Sequence, residues 1–157
     1  MIPVELTHGE MMTVHWLAEK RHEMDRQNGV VDQQVGPQSS AQTDIIGVSA
    51  EFAFCKHFNL WPDLDPTSRK IADCVNRDGR TVDIKGTHYR NGKLLLLIKE
   101  SMEYCDRYVL VTGQPPDMWI TGWLTKDEFI TDDMKGRMGP DKPLSYIATQ
   151  RQLRDFS

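Results

Sequence analysis

The spacing of hydrophobic and polar positions changes along this chain, and each change predicts an element. Between residues 8 and 28, Met11, Val14, Leu17, Ala18 and Met24 recur at helical spacing, opposite a charged face of Glu19, Lys20, Arg21, Glu23, Asp25 and Arg26. Asn28-Gly29 ends that helix. Residues 29–43 are polar with no sustained period and read as a linker. A second helix is predicted over residues 44–58, with Asp44 as N-cap or first-turn acid. Prolines 62 and 66 then mark a turn-rich connection, in which Asp63 and Asp65 read as solvated loop acids. Residues 71–86 read as two short strands joined by a turn at Asn76 to Gly79, because an Asp-Gly step between apolar-alternating runs is a hairpin signal. Residues 94–98 form a continuous apolar run, as in a strand buried on both faces. Residues 108–111 and 118–124 predict two more strands around a Gly-Gln-Pro-Pro turn, and Thr125 with Glu128 makes a capping box. Residues 131–143 read as loop, and residues 144–156 include a short strand-like piece. This order of elements predicts an α+β fold with a mixed sheet.

Candidate chemistry sits on the hairpin. Strand side chains alternate, so Asp83 and Lys85 share one face while Val82 and Ile84 share the other; on the partner strand Asp73 lies between Ile71 and Val75. Carboxylates held among apolar neighbours are costly unless paired or bound to a metal. Upstream, Glu51 has Gly47, Val48, Phe54 and Cys55 as helical neighbours, and none of them is basic. Two plainer readings stand beside this one: a half-buried salt bridge that merely holds the hairpin, and a solvent-exposed Glu51.

The ordered set of Gly47 and Glu51 on a helix, Asp73, then Asp83-Ile84-Lys85 after a turn, with further strands behind, resembles the PD-(D/E)XK nuclease superfamily. Gly122-Trp123 followed by residues 126–129 is similar to the small endonuclease-like proteins of phages and bacteria in particular. The likeness covers roughly residues 44–130. Ala72 stands where a proline often precedes the first acid, and the segment between Lys99 and Arg107 is too short for the usual crossover helix. The resemblance implies a restriction-endonuclease-like core, a central mixed β-sheet flanked by helices, here with an added N-terminal helix. It implies a metal-dependent DNA endonuclease that uses Mg²⁺, for which Mn²⁺ substitutes. Glu51, Asp73, Asp83 and the Ile84 backbone carbonyl would hold the metal, and Lys85 would orient or deprotonate the attacking water. The next segment supplies Thr87, His88, Tyr89, Arg90 and Lys93, a basic and aromatic run suited to phosphate contact and base stacking. An ordinary exposed turn at Asn91-Gly92 is the competing reading.

Composition narrows the picture a little. At 157 residues the chain reads as one domain: an N-terminal helix, a linker, a core over 44–130 and a C-terminal extension over 131–157. No apolar run approaches the ~20 residues that span a bilayer, and no signal pattern opens the chain, so no membrane association and a cytoplasmic location in a bacterial cell or phage-infected host are expected. Cys55, Cys74 and Cys105 are widely spaced and read as reduced core thiols. His8, His15 and His22 recur every seven residues, a spacing poorly suited to one metal. The net charge of −4 is unlike a dedicated DNA-binding module, though acids gathered around a divalent cation account for part of it. Cutting both strands takes two such sites, which makes a homodimer a candidate assembly. Two alternatives to the enzyme remain: a catalytically inactive nucleic-acid-binding or assembly protein that keeps the nuclease fold, and an unrelated α+β domain.

Overall fold

Thr7 closes a capping box with Glu10, its hydroxyl accepting from the Glu10 N–H at 3.2 Å while Glu10 accepts from the Thr7 N–H at 2.6 Å. Helix α1 (His8–Gln27) starts there and ends at Asn28, as its periodicity predicts. The computed structural model describes residues 1–29, 39–68 and 71–156. Most of the expected linker, residues 30–38, lies outside the described residues. Helix α2 (Ser40–Phe58) begins a turn earlier than the sequence reading placed it, because Ser39 and not Asp44 is the N-cap; its hydroxyl accepts from the Gln42 N–H. Asp44 lies inside the helix and meets His22 Nδ1 of α1 at 2.8 Å.

The main sheet has five strands in the order β1 (Ile2–Glu5), β6 (Asp117–Thr125), β5 (Arg107–Gln114), β3 (Thr81–Thr87) and β2 (Cys74–Val75). All neighbours are antiparallel except β3 and β5, which run parallel with Asp83 beside Tyr108 and Lys85 beside Leu110. Strand β1 has no counterpart in the sequence reading; Pro3 breaks its apolar alternation, yet as an edge strand it pairs with β6 along four residues. The turn forms where predicted, the Asn76 N–H bonding the Arg80 carbonyl and Gly79, at φ +79°, taking the left-handed position, but the first strand is shorter than expected: only Cys74–Val75 pairs with β3, and residues 71–73 lie outside it.

The connection between parallel β3 and β5 contains β4 (Leu94–Leu97), and here the sequence expectation needs correction. This strand does not continue the main sheet. It pairs with β8 (Ser145–Ala148), which also pairs with β7 (Lys135–Gly136), to make a second, three-stranded antiparallel sheet. Nor is β4 buried on both faces: Leu94 and Leu96 are buried, Leu95 and Leu97 only partly. The stretch read as loop therefore supplies one short strand, β7, while β8 falls where a strand-like piece was expected and the short helix α3 (Lys126–Phe129) follows its predicted capping box.

The result is a mixed α+β architecture, a mixed sheet with helices against it and a second sheet behind. Alternation along β5 divides the interior. Val109 and Val111 join Val82, Ile84, Met118 and Ile120 in a core covered by α1 and α2, whereas Tyr108 and Leu110 join Leu94, Leu96, Phe129 and Tyr146 in a core on the side of the second sheet. A bulge in the β5–β6 pairing lets Leu124 change sides. Gly86 seats α2 on β3: a Cβ there would lie 2.8 Å from the Ile46 carbonyl oxygen and 2.9 Å from the Ala50 Cβ. No helix among the described residues is long and apolar enough to cross a membrane.

Candidate active site

Strand β3 separates its own chemistry. Val82 and Ile84 point into the helix-covered core, so Asp83 and Lys85 must point to the opposite side, where they line a cleft of about 680 Å³. The Lys85 ammonium lies 2.7 Å from Asp83 Oδ1. Asp83 is 7% exposed, while 38% of the Lys85 side chain remains accessible. Burial acts to lower the lysine's pKa, but the Asp83 and Asp73 carboxylates outweigh it and hold the ammonium charged.

Asp73 stands just before β2. Its N–H donates to the Val82 carbonyl at 3.0 Å, and its Oδ2 accepts from the Ile84 N–H at 2.6 Å. A strand residue's N–H and C=O point to the same edge, so the Ile84 carbonyl also faces the side where Asp73 sits. Burial, then the neighbouring Glu51 and Asp83 charges, push the Asp73 carboxyl up to about 8. Its flanking apolar residues, Ile71 and Val75, are exposed rather than half-buried, at 55% and 54%.

Glu51 is buried on α2, and its basic partner comes from thirty residues upstream. Arg21 Nη1 donates to both carboxylate oxygens at 2.9 and 3.0 Å, and Nη2 donates to the Asp63 backbone carbonyl at 3.3 Å. Burial drives the Glu51 carboxyl above its ordinary value against the pull of Arg21, whose own charged form the carboxylate favours. The Lys85 charge also acts on Glu51, and the Asp63 charge acts on both Glu51 and Arg21. Arg21, Asp25, Asp63 and Asp73 converge on a second, smaller cavity of about 170 Å³.

The four residues singled out on α2 and the hairpin thus share one electrostatic cluster, entered from two sides. Arg21 and Asp63 were missed. For Arg21 the signal was present: it lies three and four residues after Ala18 and Leu17, both buried, so it continues their stripe. Asp63 gives no such signal in a proline-rich connection.

The loop after β3 divides. Thr87, Tyr89 and Lys93 line the large cleft beside Asp83 and Lys85. Arg90 instead lies over the Trp119 ring at 5.5 Å, and the His88 ring stacks on Tyr89 with centroids 3.7 Å apart. The Asn91-Gly92 turn forms as well, with the Gly92 N–H bonded to the Tyr89 carbonyl at 2.9 Å, so the turn reading and the cleft wall are compatible.

The donor set is hard: carboxylate oxygens and backbone carbonyls, with no imidazole in the cluster, a chemistry that suits Mg²⁺ or Mn²⁺ better than zinc. Among the described residues, Glu51 and Asp83 pair with Arg21 and Lys85, leaving acid in excess, and the raised Asp73 is where that excess shows. Arg21 and Lys85 also engage two of the three acids, and no group of three or more His, Cys, Asp or Glu side chains among the described residues is arranged to hold a metal ion. The oxygen donors are thus of the type a divalent cation takes, but their arrangement here is that of ion pairs, with Asp73 the acid that makes no salt bridge among the described residues. The three cysteines carry no disulfide; burial and the Asp83 and Asp73 charges push Cys105 up to about 11. No protein-family model, no curated protein and no solved structure matches this chain.

Proposed function

We propose that this protein is a metal-dependent DNA endonuclease of the PD-(D/E)XK type with a restriction-endonuclease-like core, hydrolysing phosphodiester bonds at the cluster of Glu51, Asp73, Asp83 and Lys85. One observation carries the reading: a helix acid, a hairpin acid and an Asp-x-Lys strand meet in one buried charge network, and its Asp-Lys end opens onto a cleft large enough for substrate. A network serving only stability has no reason to face a cleft.

The chain's residues divide the work. Lys85, accessible and held charged, meets a non-bridging oxygen of the scissile phosphate and stabilises the charge that grows there. Asp83 fixes the ammonium in place and offers its second oxygen to a cation. Asp73, kept at its post by the Ile84 N–H, offers a carboxylate that a nearby positive charge would deprotonate. Mg²⁺ or Mn²⁺ bound by Asp73, Asp83 and the Ile84 carbonyl would supply Lewis-acid stabilisation and an activated water. Glu51 adds negative charge behind them, restrained by Arg21. A homodimer would bring two such sites to one duplex.

A second reading has its own observation. The Arg21–Glu51 pair supplies from within the protein a positive charge that a metal would otherwise bring, as expected of a nucleic-acid-binding or assembly protein that retains the fold without turnover. Incubating DNA with the protein in Mg²⁺ or Mn²⁺, against an EDTA control, separates the two. Metal-dependent nicking or shortening supports the nuclease; binding with intact DNA supports the second reading.

A further inference from the structure

The cleft beside Asp83 and Lys85 is apolar where a duplex surface is not. Leu96, Tyr108 and Leu110 form its floor, and Lys93 and Lys99 stand exposed at its rim. Its volume of about 680 Å³ falls in the ~300–1,000 Å³ range of clefts that enclose small-molecule-sized groups. A paired, stacked duplex offers sugar, phosphate and the polar edges of its grooves, none of which matches a leucine floor. An unpaired nucleotide does match: it has an apolar base face on one side and charged phosphates on either flank.

Tyr89 is placed to receive that face. It lines the cleft and is 46% exposed. Its loop is braced from several directions. The Tyr89 N–H donates to Thr87 Oγ1 at 3.3 Å and its carbonyl accepts from Gly92, while the Gln150 side-chain amide donates to the carbonyls of Arg90 at 2.7 Å and Gly92 at 3.0 Å. A side chain at 92 would crowd the turn, since a Cβ would lie 2.3 Å from Thr87 Cγ2 and 3.0 Å from the Tyr89 carbonyl oxygen. A ring carried on a loop held this way, with one side already against the His88 ring at 3.7 Å between centroids, loses little freedom when a base stacks on it.

We propose that the site takes DNA with an unpaired nucleotide at the point of cleavage, the base entering the cleft against Tyr89 and the flanking phosphates meeting Lys93 and Lys99. The substrate class is then single-stranded or locally unpaired DNA, and uninterrupted duplex is the poorer ligand because its base must first be unstacked. This inference rests on the hydrolytic reading of Asp83 and Lys85, and its test keeps the two apart.

Fluorescence anisotropy in EDTA, where no hydrolysis occurs, compares a short labelled single strand with the blunt duplex of the same sequence. The single strand is expected to bind roughly tenfold tighter, Tyr89→Ala to weaken single-strand binding far more than duplex binding at an unchanged thermal midpoint and so erase most of that advantage, and Tyr89→Phe to retain it. Equal affinities in the wild type, an equal loss on both ligands in Tyr89→Ala, or no binding of either would overturn the inference. The same oligonucleotides in Mg²⁺ separate the failures. Strand-selective binding without cutting sinks hydrolysis and leaves the cleft assignment standing, while duplex cut as fast as single strand does the reverse.

Discussion

Arg21 of α1 grips Glu51 of α2 through one nitrogen, at 2.9 and 3.0 Å from the two carboxylate oxygens. The contact joins the N-terminal helix to the charge cluster, so α1 belongs to the site and is more than a packing helix. It also explains how Glu51 survives on a face that its own helix leaves without a base. The pair is mostly buried, with 27% of the Arg21 and 12% of the Glu51 side chain exposed, and removing one partner strands the other.

Arg21→Met should therefore cost about 2–4 kcal/mol in urea denaturation at neutral pH. The cost should shrink as pH falls, because a protonated Glu51 needs no counter-charge. Arg21→Met with Glu51→Leu should regain most of the loss, since neither charge is then left unpaired. A double variant as unstable as the sum of its singles would show that the pair is not coupled.

Asp73 gives the metal-free protein a signature in pH. Its carboxyl sits at about 8 in the fold against an ordinary 3.8, so between those values the folded state holds the proton more tightly than the unfolded one. The contribution of Asp73 to stability is full below about pH 4 and is lost as pH rises toward 8. Asp73→Asn should flatten that slope and exceed the wild type by at least about 1 kcal/mol above pH 8. Chemical denaturation in EDTA across this range checks it; parallel slopes for the two proteins would mean that Asp73 is not held protonated.

Gly86→Ala tests the seat of α2 on β3. The added methyl meets the Ile46 carbonyl oxygen at 2.8 Å and the Ala50 Cβ at 2.9 Å, both on one rigid helix that cannot yield locally. A loss of about 1–3 kcal/mol is expected from thermal or urea melts.

Local signals carried much of this structure. The turn of the hairpin, the capping box of α3 and the amphipathic α1 all follow from residues within a few positions of one another, and so does the alternation that sets Asp83 and Lys85 opposite Val82 and Ile84. What the sequence did not show depends on long-range pairing. The partner of β4 is β8, some fifty residues away, and an apolar run of four leucines reads the same in either sheet. β1 is short, follows an exposed Met1 and takes its strand partner, β6, from more than a hundred residues away. The Glu51 partner was hidden likewise: a helix reports its own i±3 and i±4 neighbours, and Arg21 arrives from another helix.

The central claim is that Asp83 and Lys85 form the reacting end of a hydrolytic site, and single-turnover DNA cleavage by wild type and Asp83→Asn tests it most directly. The substitution keeps the shape of a side chain that is 7% exposed and removes the charge facing Lys85. Wild type should cut in Mg²⁺ and stop in EDTA; Asp83→Asn should be slower by at least about a hundredfold while melting within about 3 °C of wild type. Cleavage by Asp83→Asn at the wild-type rate would contradict the assignment, and so would a wild type that leaves DNA intact in both Mg²⁺ and Mn²⁺.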